Sequence, residues 1–136
     1  MVDTRFPVSI HILTLLAHHG PGLMSSELLA RSVKTNASFI RKLVVTLAAA
    51  GLVESVRGKT GGIRLAKNPK DIGLDQIYRA VTDSCLMAVP KKSPNKSCAI
   101  SCSMGGVLSE ISEEIERNTL KQLAKRNLGE GMGRVR

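Results

Sequence analysis

The chain has 136 residues, room for one modest core plus an appended element but not for a second full domain. Aromatics are nearly absent, with no Trp, one Tyr and two Phe, so the core has to be aliphatic. A net charge of +9 and a pI near 10 favour a polyanionic partner, nucleic acid or an anionic membrane surface. No apolar run is long enough to span a bilayer, and Met1-Val2-Asp3-Thr4 lacks the basic-then-apolar order of a signal peptide, so a cytoplasmic location is expected.

Pro7 suits the first turn of a helix, and Val8, Ile12, Leu15, Leu16 and His19 follow helical spacing, with Ile10 and Leu13 widening the stripe. His18-His19-Gly20-Pro21-Gly22 stops that helix. Ser25 then caps a second, whose early Glu27 complements the helix dipole and whose Leu28, Leu29 and Val33 are expected to be buried. Only Lys34 and Thr35 separate it from Asn36, the N-cap of a third helix running to 50 and stopped by Gly51, with Leu52 placed for a Schellman-type contact. Two helices joined by so tight a turn read as helix-turn-helix. On the third helix Ile40, Leu43, Val44 and Leu47 form the buried stripe, which turns Ser38, Arg41, Lys42 and Val45 outward.

Short apolar strands over 52–56 and 63–65 flank Arg57-Gly58-Lys59-Thr60-Gly61-Gly62, a glycine-rich basic hairpin connection that makes a wing. Asn68-Pro69 breaks the chain. A fourth helix over 73–82 has Leu74, Ile77, Tyr78 and Val81 as its apolar positions, and a Pro- and Lys-rich linker follows. From 104 to about 124 a long helix carries Leu108, Ile111 and Ile115, then Leu120 and Leu123. The expected organisation is therefore mainly α: a winged helix-turn-helix DNA-binding domain over 1–83, a linker or sensor loop over 84–103, a dimerisation helix over 104–126, and a flexible basic tail over 127–136.

From Met24 to Asp71 nine basic residues stand against three acidic ones, so most of the excess charge sits on the helix-turn-helix and wing. In such a unit the outward face of the third helix enters the major groove, where Arg and Lys pair with guanine edges and Ser or Asn with several bases. Ser38, Arg41 and Lys42 are the candidate readers, with Asn36 and Thr46 at the margins. A wing carrying Arg57 and Lys59 can lie along phosphates or reach into the minor groove.

The run Arg41-Lys42-Leu43 through Ala50-Gly51-Leu52-Val53, then Ser55-Val56-Arg57-Gly58, Gly61-Gly62, Leu65-Ala66 and Ile77-Tyr78-Arg79-Ala80-Val81, resembles the Rrf-two family of bacterial regulators. That family includes an iron–sulfur cluster regulator, a nitric-oxide-sensitive repressor and a cysteine-metabolism repressor. The resemblance covers about 5–115 and is strongest over 27–81. It implies a winged-helix homodimer whose long C-terminal helices cross, acting at promoters as a repressor. By position it points to Asn36, Ser38, Phe39, Arg41 and Lys42 on the recognition helix and to Arg57, Gly58 and Lys59 in the wing. Phe39 has two readings, approach to DNA or completion of the core.

A lone amphipathic helix needs a surface to bury Leu108, Ile111 and Ile115, and a symmetric partner supplies one. Two recognition helices about one DNA turn apart then imply a pseudo-palindromic site on double-stranded DNA. The cluster-binding members carry three cysteines in the loop before the dimer helix. Here Cys98 and Cys102 occupy that loop in a Cys-x-x-x-Cys pair while Cys85 follows the fourth helix, so the even, close spacing of the cluster-binding members is missing, and the stretch Pro94-Asn95-Lys96-Ser97-Cys98 resembles the branch without a recognised cluster. Incidental thiols, thiol redox sensing, and an iron–sulfur cluster or metal ion all remain open, and no cofactor is assigned. His11, His18 and His19 read as helix and turn residues with no ligand at metal spacing. No phosphate loop, dinucleotide fingerprint, metalloprotease helix or nucleophile elbow is present, so the chain is not expected to be an enzyme. The competing class is an RNA-binding or protein-interaction module on the same fold.

Overall fold

The computed structural model describes residues 3–83, 89 and 93–132. Helix α1, Arg5–His19, begins two residues before Pro7 and ends at Gly20, whose φ of +88° lies where a side chain is disfavoured. It buries Ser9, Ile12, Leu13 and Leu16, whereas His19, read as part of the stripe, is exposed. At its N-terminus Arg5 pairs with Asp3 at 2.7 Å and with Asp83 at 2.9 Å, fastening the start of α1 to the end of the fourth helix. The Arg5 guanidinium donates to the Asp3 carboxyl and lowers its pKa to about 2.

Helix α2, Ser26–Val33, starts as its sequence dictates, with the Ser25 side chain accepting from the Leu28 N–H at 3.2 Å. Its buried residues are Leu29 and Ala30. Leu28, expected inside, is 46% exposed, because the helix turns the Leu29 side of its surface to the core. Lys34 closes α2 in the left-handed conformation at φ 63°, with Thr35 N–H on Ala30 O and Lys34 N–H on Arg31 O. That single residue makes the turn tight.

Helix α3, Ala37–Ala49, is capped by Asn36, which accepts from the Phe39 N–H at 2.8 Å. All four residues of the expected stripe, Ile40, Leu43, Val44 and Leu47, are buried. Its end is a full Schellman motif: Leu52 N–H reaches Leu47 O, Gly51 N–H reaches Ala48 O, and Gly51 has φ +77°. The chain then enters the wing, strands β1 (Val53–Val56) and β2 (Gly62–Leu65), paired antiparallel with Glu54 opposite Arg64. A further bridge joins Met24 to Ile63 through two backbone bonds of 2.8 and 2.9 Å, seating the wing against the segment that leads into α2.

A 3-10 turn at Pro69–Asp71 leads to α4, Leu74–Val81, which buries Ile77, Tyr78 and Val81. The Phe6 and Tyr78 rings pack edge to face at 5.4 Å. Helix α5, Ala99–Ala124, begins five residues before the expected 104, so Cys98 is its N-cap and Cys102 lies within it rather than in a loop. The early start follows from capping: the Cys98 sulfur accepts from the Ser101 N–H at 3.4 Å. Cys85 lies outside the described residues.

The expected flexible tail is also corrected over its first residues. Helix α6, Leu128–Met132, is folded back, with Leu128 only 2% exposed and its N–H on Ile72 O. Asn127 forms a bridge with Gly73 and its side chain accepts from the Glu130 N–H. The glycines at 129 and 131 dominate the local composition, but a long-range apolar contact by Leu128 outweighs them. The core is aliphatic as the composition requires, with Ile12, Leu16, Leu29, Ile40, Leu47 and Ile77 among its most enclosed members.

Candidate nucleic-acid interface

Because Ile40, Leu43, Val44 and Leu47 hold one side of α3 in the core, the opposite side is presented outward as a consequence of helical geometry. Ser38, Arg41, Lys42 and Val45 are all exposed there. The wing closes one flank. A cleft between them is lined by Ser25, Ser26 and Glu27 at the start of α2, by Arg41, Val44 and Val45 of α3, and by Ser55 to Gly58 and Gly61 to Ile63 of the wing. The fold thus brings Arg41 together with Arg57 and Gly58, sixteen and seventeen positions further along the chain.

The remaining expected residues divide by what already occupies them. The Asn36 carbonyl oxygen is engaged as helix cap, and the Thr46 hydroxyl donates back to Lys42 O at 3.3 Å. Phe39 is half-buried and packs against the core cluster, as the second of its two readings has it. Ser38, Lys42, Arg57 and Lys59 stand exposed, with no ion pair to any of the described residues.

Charge on this face is sorted by two acidic residues. Glu54 takes the Arg64 side chain in a 2.9 Å bond across the β-ladder, so Arg64 is neutralised along the wing. Glu27 lies 3.6 Å from the Arg41 guanidinium, with both side chains more than half exposed. The wing tip keeps Arg57 and Lys59 uncompensated. Gly58, at φ +112°, and Gly61, where a Cβ would collide with the Val56 carbonyl oxygen, permit the tight connection that places them.

A second surface lies on α5. Ile100, Met104, Val107, Ile111 and Ile115 are 38–68% exposed at spacings of four, three, four and four, one apolar stripe along the helix. Of the residues expected at a dimer face, Ile111 and Ile115 belong to it, while Leu108 is half-buried. Ile100, Met104 and Val107 are additions, which a helix start at 104 leaves out or at its edge. The other side of α5 rests on α4, where Ser112 is buried and the Tyr78 hydroxyl donates to Glu116 Oε2 at 3.2 Å. No described helix is long and apolar enough to cross a membrane.

A three-helix unit with a basic, outward-facing third helix and a basic hairpin beside it defines a winged helix-turn-helix protein. The Rrf2 family model, described as an iron-dependent transcriptional regulator, matches residues 2–130. The putative HTH-type transcriptional regulator YwnA of Bacillus subtilis (strain 168) is 32% identical over 99% of this chain and 99% of its own. The HTH-type transcriptional regulator NsrR of the same organism is 29% identical over 86% of this chain and 85% of its own. Among solved structures, T. potens IscR superposes with a TM-score of 0.70 at 25% identity, covering 100% of this chain and 88% of that one. The chain belongs to the Rrf2 family, the same Rrf-two family that its motifs resemble, and is a transcriptional regulator rather than an enzyme.

The family description names iron. Among the described residues no group of three or more His, Cys, Asp and Glu side chains could hold a metal ion. Cys98 accepts from Ser101, and the Cys102 thiol donates to Asn95 O at 3.6 Å. Two thiols one helical turn apart fall short of the four-thiolate shell of an iron–sulfur cluster, so the described residues alone do not fit that group.

Proposed function

We propose that this regulator binds double-stranded DNA sequence-specifically as a homodimer, on a pseudo-palindromic operator, and acts in the cytoplasm as a repressor. The observation that carries the reading is the cleft that brings Arg41 of α3 together with Arg57 of the wing, with Lys42 and Lys59 exposed on the same two elements. The outward face of α3 enters the major groove with Ser38, Arg41 and Lys42 at base edges. Arg57 and Lys59 lie on the backbone or in the adjacent minor groove, with Gly58 allowing close approach. Asn36 and Thr46 hold the ends of the reading face in shape while reaching its margin.

The dimer supports the operator symmetry. The α5 stripe of Ile100 to Ile115 faces away from its own domain, and burying it on a second copy places two recognition helices on one side of the duplex. The experiment is selection from a genomic DNA library at controlled salt, using protein purified without oxygen. Recovery of a two-half-site sequence supports the reading; recovery of structured RNA in its place, or of no sequence, overturns it. The visible spectrum of the same sample, with iron and sulfide assays, tells whether the three cysteines carry a cluster, and repeating the selection after mild oxidation tells whether thiols govern affinity.

A further inference from the structure

Val45 is the most exposed of the large apolar side chains among the described residues, at 70%. It sits in the middle of a helix, where a β-branched residue is a poorer helix former than Ala, Leu or Lys, so it contributes nothing to α3 as a helix. Its neighbour Val44 is 5% exposed, so the core is already served by the adjacent position. A residue that neither packs nor favours its own helix is explained by what it meets outside.

Its surroundings define that contact. Val45 lies seven residues after Ser38, two turns along the same line of the outward face, with Arg41 one turn before it and Lys42 beside it. It lines the cleft with Arg41, and across that cleft the wing contributes Val56, itself 42% exposed. Two exposed valine side chains therefore line one cleft together with Arg41, Arg57 and Glu27. In the major groove the base-edge feature without hydrogen-bonding capacity is the C5-methyl group of thymine, and apolar side chains are what reads it.

Resting on the DNA-binding reading above, we propose that Val45 is a specificity-determining residue that packs against a thymine C5-methyl in each half-site. Arg41 and Lys42 then supply hydrogen bonds to flanking bases, and Val45 requires an A·T pair at a fixed position between them. Replacing that thymine by cytosine or uracil removes the methyl contact, and only cytosine also changes the hydrogen-bonding edge.

The test uses the full-length protein and the operator recovered by library selection. Each thymine is replaced in turn by uracil, which leaves base pairing intact and deletes only the methyl group. With the unaltered protein, one thymine per half-site is expected to respond with a loss of about fourfold, the factor that burial of one methyl group supplies. In Val45→Ala the same substitution is expected to have no effect, while affinity for the unmodified operator falls by about fourfold for each of the two half-sites, since both subunits lose the contact. Its binding to unrelated DNA, its salt dependence and its melting temperature, which Ala can only hold or raise at an exposed helical position, are expected to stay unharmed. If a defined operator is recovered but no thymine responds, or if Val45→Ala keeps the uracil penalty, the assignment of Val45 is overturned while DNA recognition stands. A response to 5-methylcytosine with none to thymine also overturns it. Recovery of no sequence at all removes both.

Discussion

The Arg41 guanidinium lies 3.6 Å from the Glu27 carboxylate, joining the recognition helix to the first turn of the helix before it. Both side chains are more than half exposed, so the pair adds little to folding. Under the proposed DNA-binding mode its effect is larger, since Glu27 places a negative charge beside a side chain that this mode brings to a polyanion. Glu27→Gln is expected to raise affinity for operator and unrelated DNA alike by about fivefold at low salt. That factor matches the ~1 kcal/mol exchanged by unit charges a few ångström apart in water. Arg41→Ala with Lys42→Ala should weaken binding to the operator more than to unrelated DNA, as loss of base-edge contacts does. Titrations at several salt concentrations measure both, and unchanged binding by the Arg41/Lys42 double variant would remove α3 as the reading face.

The wing separates shape from charge. Gly61 has no room for a Cβ against the Val56 carbonyl oxygen, and Gly58 sits at φ +112°. Gly61→Ala should distort the hairpin, costing about 1–3 kcal/mol of stability, and should displace Arg57 and Lys59 so that DNA affinity falls. Arg57→Ala, at an exposed position, should lower affinity with the melting temperature unchanged. Thermal melts paired with binding titrations distinguish these outcomes. Equal loss of stability in both variants would mean that Arg57 has a packing role.

Much of the fold and of the outward face of α3 is legible in the sequence because it is local. The Asn36 cap, the stripe from Ile40 to Leu47 and the Gly51 stop depend on residues within one or two turns of each other, and helical period reports them directly. What the sequence conceals are contacts made at a distance or through weak groups. Leu128 docks against a core assembled from the other end of the chain, which a glycine-rich local composition hides. Cys98 caps α5 although thiols are weak acceptors, so the helix starts earlier than its apolar spacing suggests and the stripe extends back through Val107 and Met104 to Ile100. Glu27 gives a local signal, a helix-dipole partner, and its pairing with Arg41 exists only once α2 and α3 are packed.

Ser9 is fully enclosed in α1, and its hydroxyl has no hydrogen-bond partner among the described residues. A buried donor left unmade forfeits its hydration without recompense. Ser9→Ala removes that group, improves helix propensity and leaves only a small void, so it should stabilise the protein by about 1 kcal/mol. Chemical denaturation compared at constant slope reads the change. A loss of stability would show that the hydroxyl is satisfied in solution, by water for example.

The α5 stripe can be tested apart from the DNA face. Ile111 and Ile115 are 44% and 38% exposed and make no part of the enclosed core, so charged substitutions there leave the winged unit intact. Ile111→Asp with Ile115→Asp would bring four carboxylates together across a twofold axis, where desolvation and like-charge repulsion both oppose association. The expected result is a monomer in sedimentation, with the Tyr78–Glu116 contact still holding α5 to α4 and helix content retained. A monomer engages one half-site at a time, so operator affinity should fall on the order of a hundredfold or more as the second contact ceases to be intramolecular. Affinity for an isolated half-site should stay as it was. A double variant that remains dimeric at micromolar concentration would place the interface elsewhere, and one that is monomeric yet binds the full operator normally would show that the dimer is formed on the DNA rather than before it.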